Sequence, residues 1–245
     1  MLISKFHSVL QQIPKVLFCA GCRNPAWVTV CNECKDSRYP NSSILASPVH
    51  EIEGVAPLLY SFERTQTLIR RWKEHGGTDL RKHLFRMPEP LRHELLQNHF
   101  FAIVPIPQSQ KRSYVRGHDS ALEVARFFSL KLDLPILTLL ELKDEKTKRL
   151  TGLSRFEREF AENPFRITHE FPRNDSLSKK LGEAVDQGRE TRLLLIDDLI
   201  TSGSTISKAA ETLQSLLPRS KIWAGSLGFR PNLKNRMALM IVNVF

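Results

Sequence analysis

The chain contains no apolar run approaching the roughly 18 residues a membrane span requires, so no membrane insertion is expected. Its opening, MLISKFHSVLQQIPKV, turns polar too early for a secretory signal, which points to the cytoplasm. Internal repeats and low-complexity tracts are also missing. Cysteine is absent outside one window, Cys19 to Cys34, which argues against a disulfide framework. Aromatic residues make up only 8% of the chain and most read as core positions, which leaves few rings to stack on nucleobases. Acidic residues are in deficit, 26 against 36 Lys and Arg.

What is present is globular in character. Hydrophobic residues at 41% and charged residues at 25% are ordinary values, and 245 residues suffice for one core with a small accessory module or for two compact domains. The net charge of +10, dense at Lys111-Arg112, at Arg116 and from Lys143 to Arg158, favours phosphates, nucleotides or nucleic acid as partners. A solvated basic surface would have the same composition. Charge alone does not choose between a phosphate-handling enzyme and a DNA-binding protein.

The cysteine window reads CAGCRNPAWVTVCNEC, with Cys19, Cys22, Cys31 and Cys34 in two CxxC pairs. A CxxC turn aims two sulfurs at one ion, and a second pair completes a tetrahedron, so the spacing points to structural Zn²⁺. An iron site or redox dithiols are the other readings. A closed four-thiolate site has no open ligand position, and metal binding would supply much of the folding free energy of so short a module.

DSRYPNSSILASPVHEIEG then reads as a linker. Beyond it, GVAPLLYSF reads as a strand, and TQTLIRRWKEHGG as a helix with Leu68, Ile69 and Trp72 on one face. A short helix is expected over Asp79 to Leu84, and a buried strand at FFAIVPIP that ends in prolines. QSQKRSYVRGHD reads as a basic loop before a helix opened by a capping box, Ser120 with Glu123, whose apolar face is Ala121, Val124, Ala125 and Phe128. LPILTLLEL is a further candidate strand, and Lys143 to Asn163 carries charge without a strand pattern. RLLLID is a strand, and Ile206 to Leu217 mark a helix that starts near Ser204 or Thr205 and ends at Pro218. KIWAGSLGF and ALMIVNVF are the last candidate strands. Strands alternating with helices predict an α/β domain with a mainly parallel sheet.

LLLIDDLITSGSTI, Leu193 to Ile206, carries the chemistry. Ligands of such sheets lie at the carboxyl ends of the strands, where Asp197 and Asp198 fall. The TSGST loop leads into a helix N-terminus, whose unpaired N–H groups and positive dipole end favour a phosphate. Thr201, Ser202, Ser204 and Thr205 add hydroxyl donors, and Gly203 permits close approach or a positive φ. The acids would repel a phosphate but accept hydrogen bonds from vicinal sugar hydroxyls, or share a divalent cation. Acids and loop together describe a ribose 5-phosphate. An Asp helix cap followed by a polar turn is the structural alternative.

IDDLITSGST resembles the phosphoribosyl-pyrophosphate (PRPP) motif of type I phosphoribosyltransferases. The chain further resembles the ComF family of competence-associated proteins over nearly its full length. The features run in order: four cysteines, LLYSFERTQTLIRRWKEHGG with Lys73, VPIP followed by Arg116-Gly117, GLSRFERE with Arg158, and the PRPP motif. The resemblance implies a zinc-finger-like module and linker at 1–50 and a type I phosphoribosyltransferase fold, a twisted mainly parallel sheet flanked by helices, at 51–245. It implies that Asp197 and Asp198 hold the ribose hydroxyls and Thr201 to Thr205 the 5-phosphate, with Mg²⁺ accompanying PRPP. Lys73, Arg112, Arg116, Lys148 and Arg158 are the candidate cations for the pyrophosphate, the last two within a mobile basic lid. RGHDS stands where the family usually has Arg-Gly-Phe-Asn-Gln, and Leu150 where a glutamine is common. His118 is accordingly read first as a surface or packing residue.

Two functions follow from the resemblance. One is phosphoribosyl transfer from PRPP to an unknown acceptor, linked to DNA uptake in natural transformation. The other is a non-catalytic part in DNA uptake, with the basic surface on single-stranded DNA and the zinc module docking other competence or DNA-processing proteins. Fold does not decide between them.

Overall fold

The computed structural model describes residues 17–19, 25–26, 44–45, 47, 49–60, 63–75, 78–143, 162–169, 171 and 176–229. Two short strands come first, β1 (Leu17–Phe18) and β2 (Pro25–Ala26), paired antiparallel. Then follow β3 (Val55–Tyr60), α1 (Glu63–His75), α2 (Thr78–Leu84), α3 (Glu89–Gln97) and β4 (Ala102–Pro105). Next come α4 (Gln110–Arg116), α5 (Ser120–Leu132), β5 (Leu140–Leu142), β6 (Phe165–Ile167), α6 (Ser176–Asp186), β7 (Thr191–Ile200), α7 (Ser204–Leu216) and β8 (Ser220–Phe229).

Four strands form one parallel sheet in the order β3-β8-β7-β4. Side chains alternate between its faces, as a period of two requires. Ile103, Leu194 and Ile196 pack with Leu68, Ile69 and Trp72 of α1, Leu91 and Leu95 of α3, and Val124 and Phe128 of α5. Ala102, Val104, Leu193 and Leu195 pack with Ala209, Ala210 and Leu213 of α7 and with Phe165 and Leu181. Both faces are covered, which is why these strands read as continuous apolar runs.

The expected helices over α1, α2, α5 and α7 and the strands β3, β4, β7 and β8 are all present. Other readings are corrected. The basic loop after VPIP contains a helix, α4, which stops at Gly117 in the left-handed region. The cap of α5 is Asp119, whose carboxylate accepts from Leu122 N at 2.9 Å, and Ser120 lies inside the helix. LPILTLLEL is no strand of the main sheet. Ile136 makes only a single bridge beside Ile103, and Leu140–Leu142 turn away to pair antiparallel with β6. Helices α3 and α6 and strand β6 went unread. In α3 the prolines at 88 and 90 look like turn punctuation, yet Pro is tolerated in a first helical turn, where its missing N–H has no intrahelical partner to lose. Within the expected linker, Leu45 pairs with Val55, and Leu45 and Ile52 are buried in the second cluster. ALMIVNVF lies outside the described residues. Among the described residues, no helix is long and apolar enough to cross a membrane.

Candidate functional site

The chain leaves β4 toward residues 135–137 on one side of that strand, while β7, α7 and β8 run to the other. The backbone bonds Ile103 N to Pro135 O, 2.9 Å, and Leu137 N to Ile103 O, 2.8 Å, fix the first direction. The loops after β4 and β7 therefore diverge, which opens a crevice at the carboxyl ends of these two strands. The expected strand RLLLID continues through the acids to Ile200, so Asp197 and Asp198 belong to β7 itself and point to opposite faces of the sheet.

Asp198 faces α1 and α5 and is 5% exposed. Lys73 Nζ, on α1, donates to its Oδ1 at 2.7 Å. Its Oδ2 accepts from Gln108 Nε2, in the loop after β4, at 3.1 Å, and from the hydroxyl of Ser120 in the first turn of α5. Gln108 Nε2 also lies 2.6 Å from Ser120 Oγ, and its Oε1 accepts from an Arg116 guanidinium nitrogen at 3.4 Å. Lys73, Asp198, Gln108 and Arg116 thus form one chain of polar contacts linking α1, β7, the β4–α4 loop and α4. Of the candidate cations, the structure brings Lys73 to Asp198 and ties Arg116 to that acid only indirectly, through Gln108. Arg112 falls within α4, and Lys148 and Arg158 lie outside the described residues.

Asp197 is differently placed. Its Oδ1 accepts from Asp198 N at 2.8 Å. Burial, with the neighbouring Asp198 charge second, pushes its carboxyl up to about 7, against an opposing pull from Lys73. Asp119 is also raised, first by burial, with the Asp198 charge contributing. Carboxylates crowded in this way, with Lys73 as counter-charge, suit a hard divalent cation by donor type. Among the described residues, no three acidic, His or Cys groups converge as a ready metal cage.

The hydroxyl loop follows at once. Gly203 caps α7 with φ 83°, a conformation that costs glycine little and L side chains more. This turn aims the chain into α7, and the Ser202 and Ser204 hydroxyls lie 2.9 Å apart. Thr201, Ser202, Ser204 and Thr205 are all half-buried beside the first turn of α7. His118 is half-buried and tilted against Trp72, ring centroids 5.3 Å apart, with its Nδ1 3.1 Å from Arg116 O. It is a packing histidine that ties the end of α4 to α1. Among the described residues, Trp72 Nε1 and His118 Nε2 are both buried and meet no hydrogen-bond partner.

Of the metal-binding candidates, Cys19 directly follows β1 and is buried against the first core cluster. Cys22, Cys31 and Cys34 lie outside the described residues. Gln108 and Ser120 were missed as site residues. The usable signal for Gln108 was its place as the first polar residue after the proline-ended strand β4. Ser120 offered none, because its spacing to Glu123 gave the hydroxyl a capping role.

No protein-family model matches the chain. Among curated proteins, it is similar to competence protein F of Haemophilus influenzae, 26% identical over 226 residues, covering 87% of this chain and 86% of that protein. This supports a ComF-family relationship.

Proposed function

We propose that this ComF relative binds PRPP together with Mg²⁺ at the carboxyl end of its sheet and has the fold and chemistry type of a type I phosphoribosyltransferase. The observation that carries the reading is the junction of β7 and α7. Two carboxylates lie near the end of the strand, which runs on to Ile200, a positive-φ glycine at 203 turns the chain, and a hydroxyl-lined helix begins at Ser204, six residues after Asp198. Carboxylates serve sugar hydroxyls and a cation, while the helix N-terminus serves the 5-phosphate. On this reading Lys73 and Arg116, joined to Asp198 directly and through Gln108, are the cations assigned to the departing pyrophosphate. Mg²⁺, when bound, would neutralise charge on that leaving group. Transfer would proceed by displacement of pyrophosphate from the anomeric carbon by an acceptor nucleophile, with the protein's cations stabilising the departing charge. Four-cysteine Zn²⁺ at Cys19, Cys22, Cys31 and Cys34 remains part of the proposal, as does a role in competence, the word in the relative's name.

Calorimetric titration of PRPP with Mg²⁺ tests the site. Binding is expected, and its loss in Asp197→Ala and in Asp198→Ala. Absence of PRPP binding, with no pyrophosphate release on any nucleobase, would refute the proposal. Metal analysis of the reduced protein tests the zinc.

The single-stranded-DNA reading has one structural observation in its favour. Tyr114 is 89% exposed and Val115 75%, on α4 between Arg112 and Arg116. An exposed ring can serve as a stacking platform for a base, and the basic segment around it supplies positive charge for the phosphates. DNA affinity that falls steeply with salt and weakens in Tyr114→Ala would support it; salt-independent binding would not.

A further inference from the structure

The divalent-cation reading of the acid pair meets an obstacle in the geometry. Both oxygens of Asp198 are engaged, Oδ1 by Lys73 and Oδ2 by Gln108 and Ser120, and the one charge of this carboxylate is already matched by the Lys73 ammonium. A second cation at this acid must therefore compete with what holds it. Ser120 is fully buried in the first turn of α5. Gln108 is held from both ends of its amide, by Asp198 and Ser120 on one side and Arg116 on the other. Lys73 differs from both. Its side chain is 21% exposed, its ammonium sits on a flexible four-carbon stem, and it departs with a positive charge that an arriving cation replaces.

We propose that Lys73 is an exchangeable counter-ion of Asp198, holding the acid in the unliganded protein and passing to the ligand's anionic group when a hydroxyl or divalent cation takes its place. The proposal rests on the PRPP-type reading of the site and adds a sequence of events to it. Among the described residues, Lys73 is the only cation hydrogen-bonded to Asp197 or Asp198, so its departure would leave Asp198 uncompensated, with the Asp197 carboxyl next along the strand adding to the negative field. That state favours a divalent ion over a monovalent one. The same movement brings an ammonium to a pyrophosphate at the moment the cation site fills. Gln108 and Ser120, being neutral donors, stay and keep Asp198 aimed into the crevice.

This assigns Lys73 opposite effects on two ligands, which a lysine serving only as a phosphate contact or only as a structural ion pair would not show. In the full chain, Lys73→Met is expected to bind Mn²⁺ alone about tenfold more tightly than wild type, because the competing charge is gone. The same variant is expected to bind inorganic pyrophosphate with Mg²⁺ about tenfold more weakly. Adding Asp198→Asn to Lys73→Met should remove the gain in Mn²⁺ affinity. Lys73→Arg keeps the charge and grips a carboxylate with two parallel donors, so it should weaken Mn²⁺ binding below wild type. Thermal melts confirm folding, and if Lys73→Met fails to fold, Lys73→Arg decides. Unchanged or weaker Mn²⁺ binding in folded Lys73→Met, or wild-type Mn²⁺ affinity in Lys73→Arg, would overturn the exchange. A wild-type protein that ignores PRPP refutes the proposed function instead, since the Mn²⁺ measurements use no PRPP.

Discussion

Asp197 and Asp198 are the same residue one position apart on β7, and the two faces of the sheet give them different lives. On the α1 and α5 side, Asp198 is buried and meets an ammonium, an amide and a hydroxyl, each supplied by a different segment of the chain. On the other side, Asp197 has the backbone N–H of its neighbour, and burial beside a second carboxylate raises its pKa to about 7. Identical chemistry in the sequence thus becomes an organising tie on one face and a group poised near neutrality on the other. The partners decide which, because a carboxylate in a desolvated place stays ionised only where donors or opposite charge compensate it.

The comparison is most directly broken by deleting each acid. Asp198→Ala leaves Lys73, Gln108 and Ser120 without their acceptor and should cost about 3 kcal/mol of stability, read by chemical denaturation. A loss no larger than that of Asp197→Ala would show that the two acids are equivalent. For Asp197 the expected sign is reversed. Its folded pKa of about 7 lies above the ordinary 3.8, so its contribution to stability is complete below about pH 4 and is lost as pH rises through 7. Asp197→Asn should therefore gain on the order of 1–2 kcal/mol at pH 8, discounted for partial exposure, with the gain vanishing toward pH 4. Denaturation curves at the two pH values check both the sign and the window.

Smaller effects sharpen the contrast between the junctions around the acids. Gly203→Ala forces an L side chain to φ 83° at the cap of α7 and should cost about 1–2 kcal/mol, with weaker phosphate binding. Asp119→Ala removes the cap of α5, the helix that carries Ser120, and should cost about 1 kcal/mol in the same assay. Tyr114→Ala, at an exposed position, should change stability by less than about 0.5 kcal/mol, so any effect on DNA binding can be read without a folding correction.

Much of the fold was legible wherever one element's own pattern was sufficient. Leu68, Ile69 and Trp72 announced the buried face of α1, and the apolar runs of β4 and β7 announced strands covered on both faces. Reading failed where neighbours overrode local pattern. Ser120 has the spacing of a capping residue but lies next to Asp198, and the hydroxyl turns to the acid while Asp119 caps the helix. Leu140–Leu142 has strand composition, yet it pairs with Phe165–Ile167, more than 20 residues on, because the edge of the parallel sheet offers it only the single bridge at Ile136. In the site, the acids, hydroxyls and glycine were visible as one contiguous motif. Gln108 was not, because its role comes from contacts 12 and 90 residues away along the chain.

The sequence by itself determined the alternation of strands and helices, the single cysteine window, and the pairing of two acids with a hydroxyl-rich helix entry. Those features are local, set by side-chain period, spacing and the φ that glycine allows. Only the tertiary structure decided that Asp198 is closed by Lys73, Gln108 and Ser120 while Asp197, among the described residues, is hydrogen-bonded by the N–H of its neighbour. That division depends on which helix packs on which face of β7. An alternating strand separates neighbouring side chains by the thickness of a sheet, and the chain must fold before either face acquires partners.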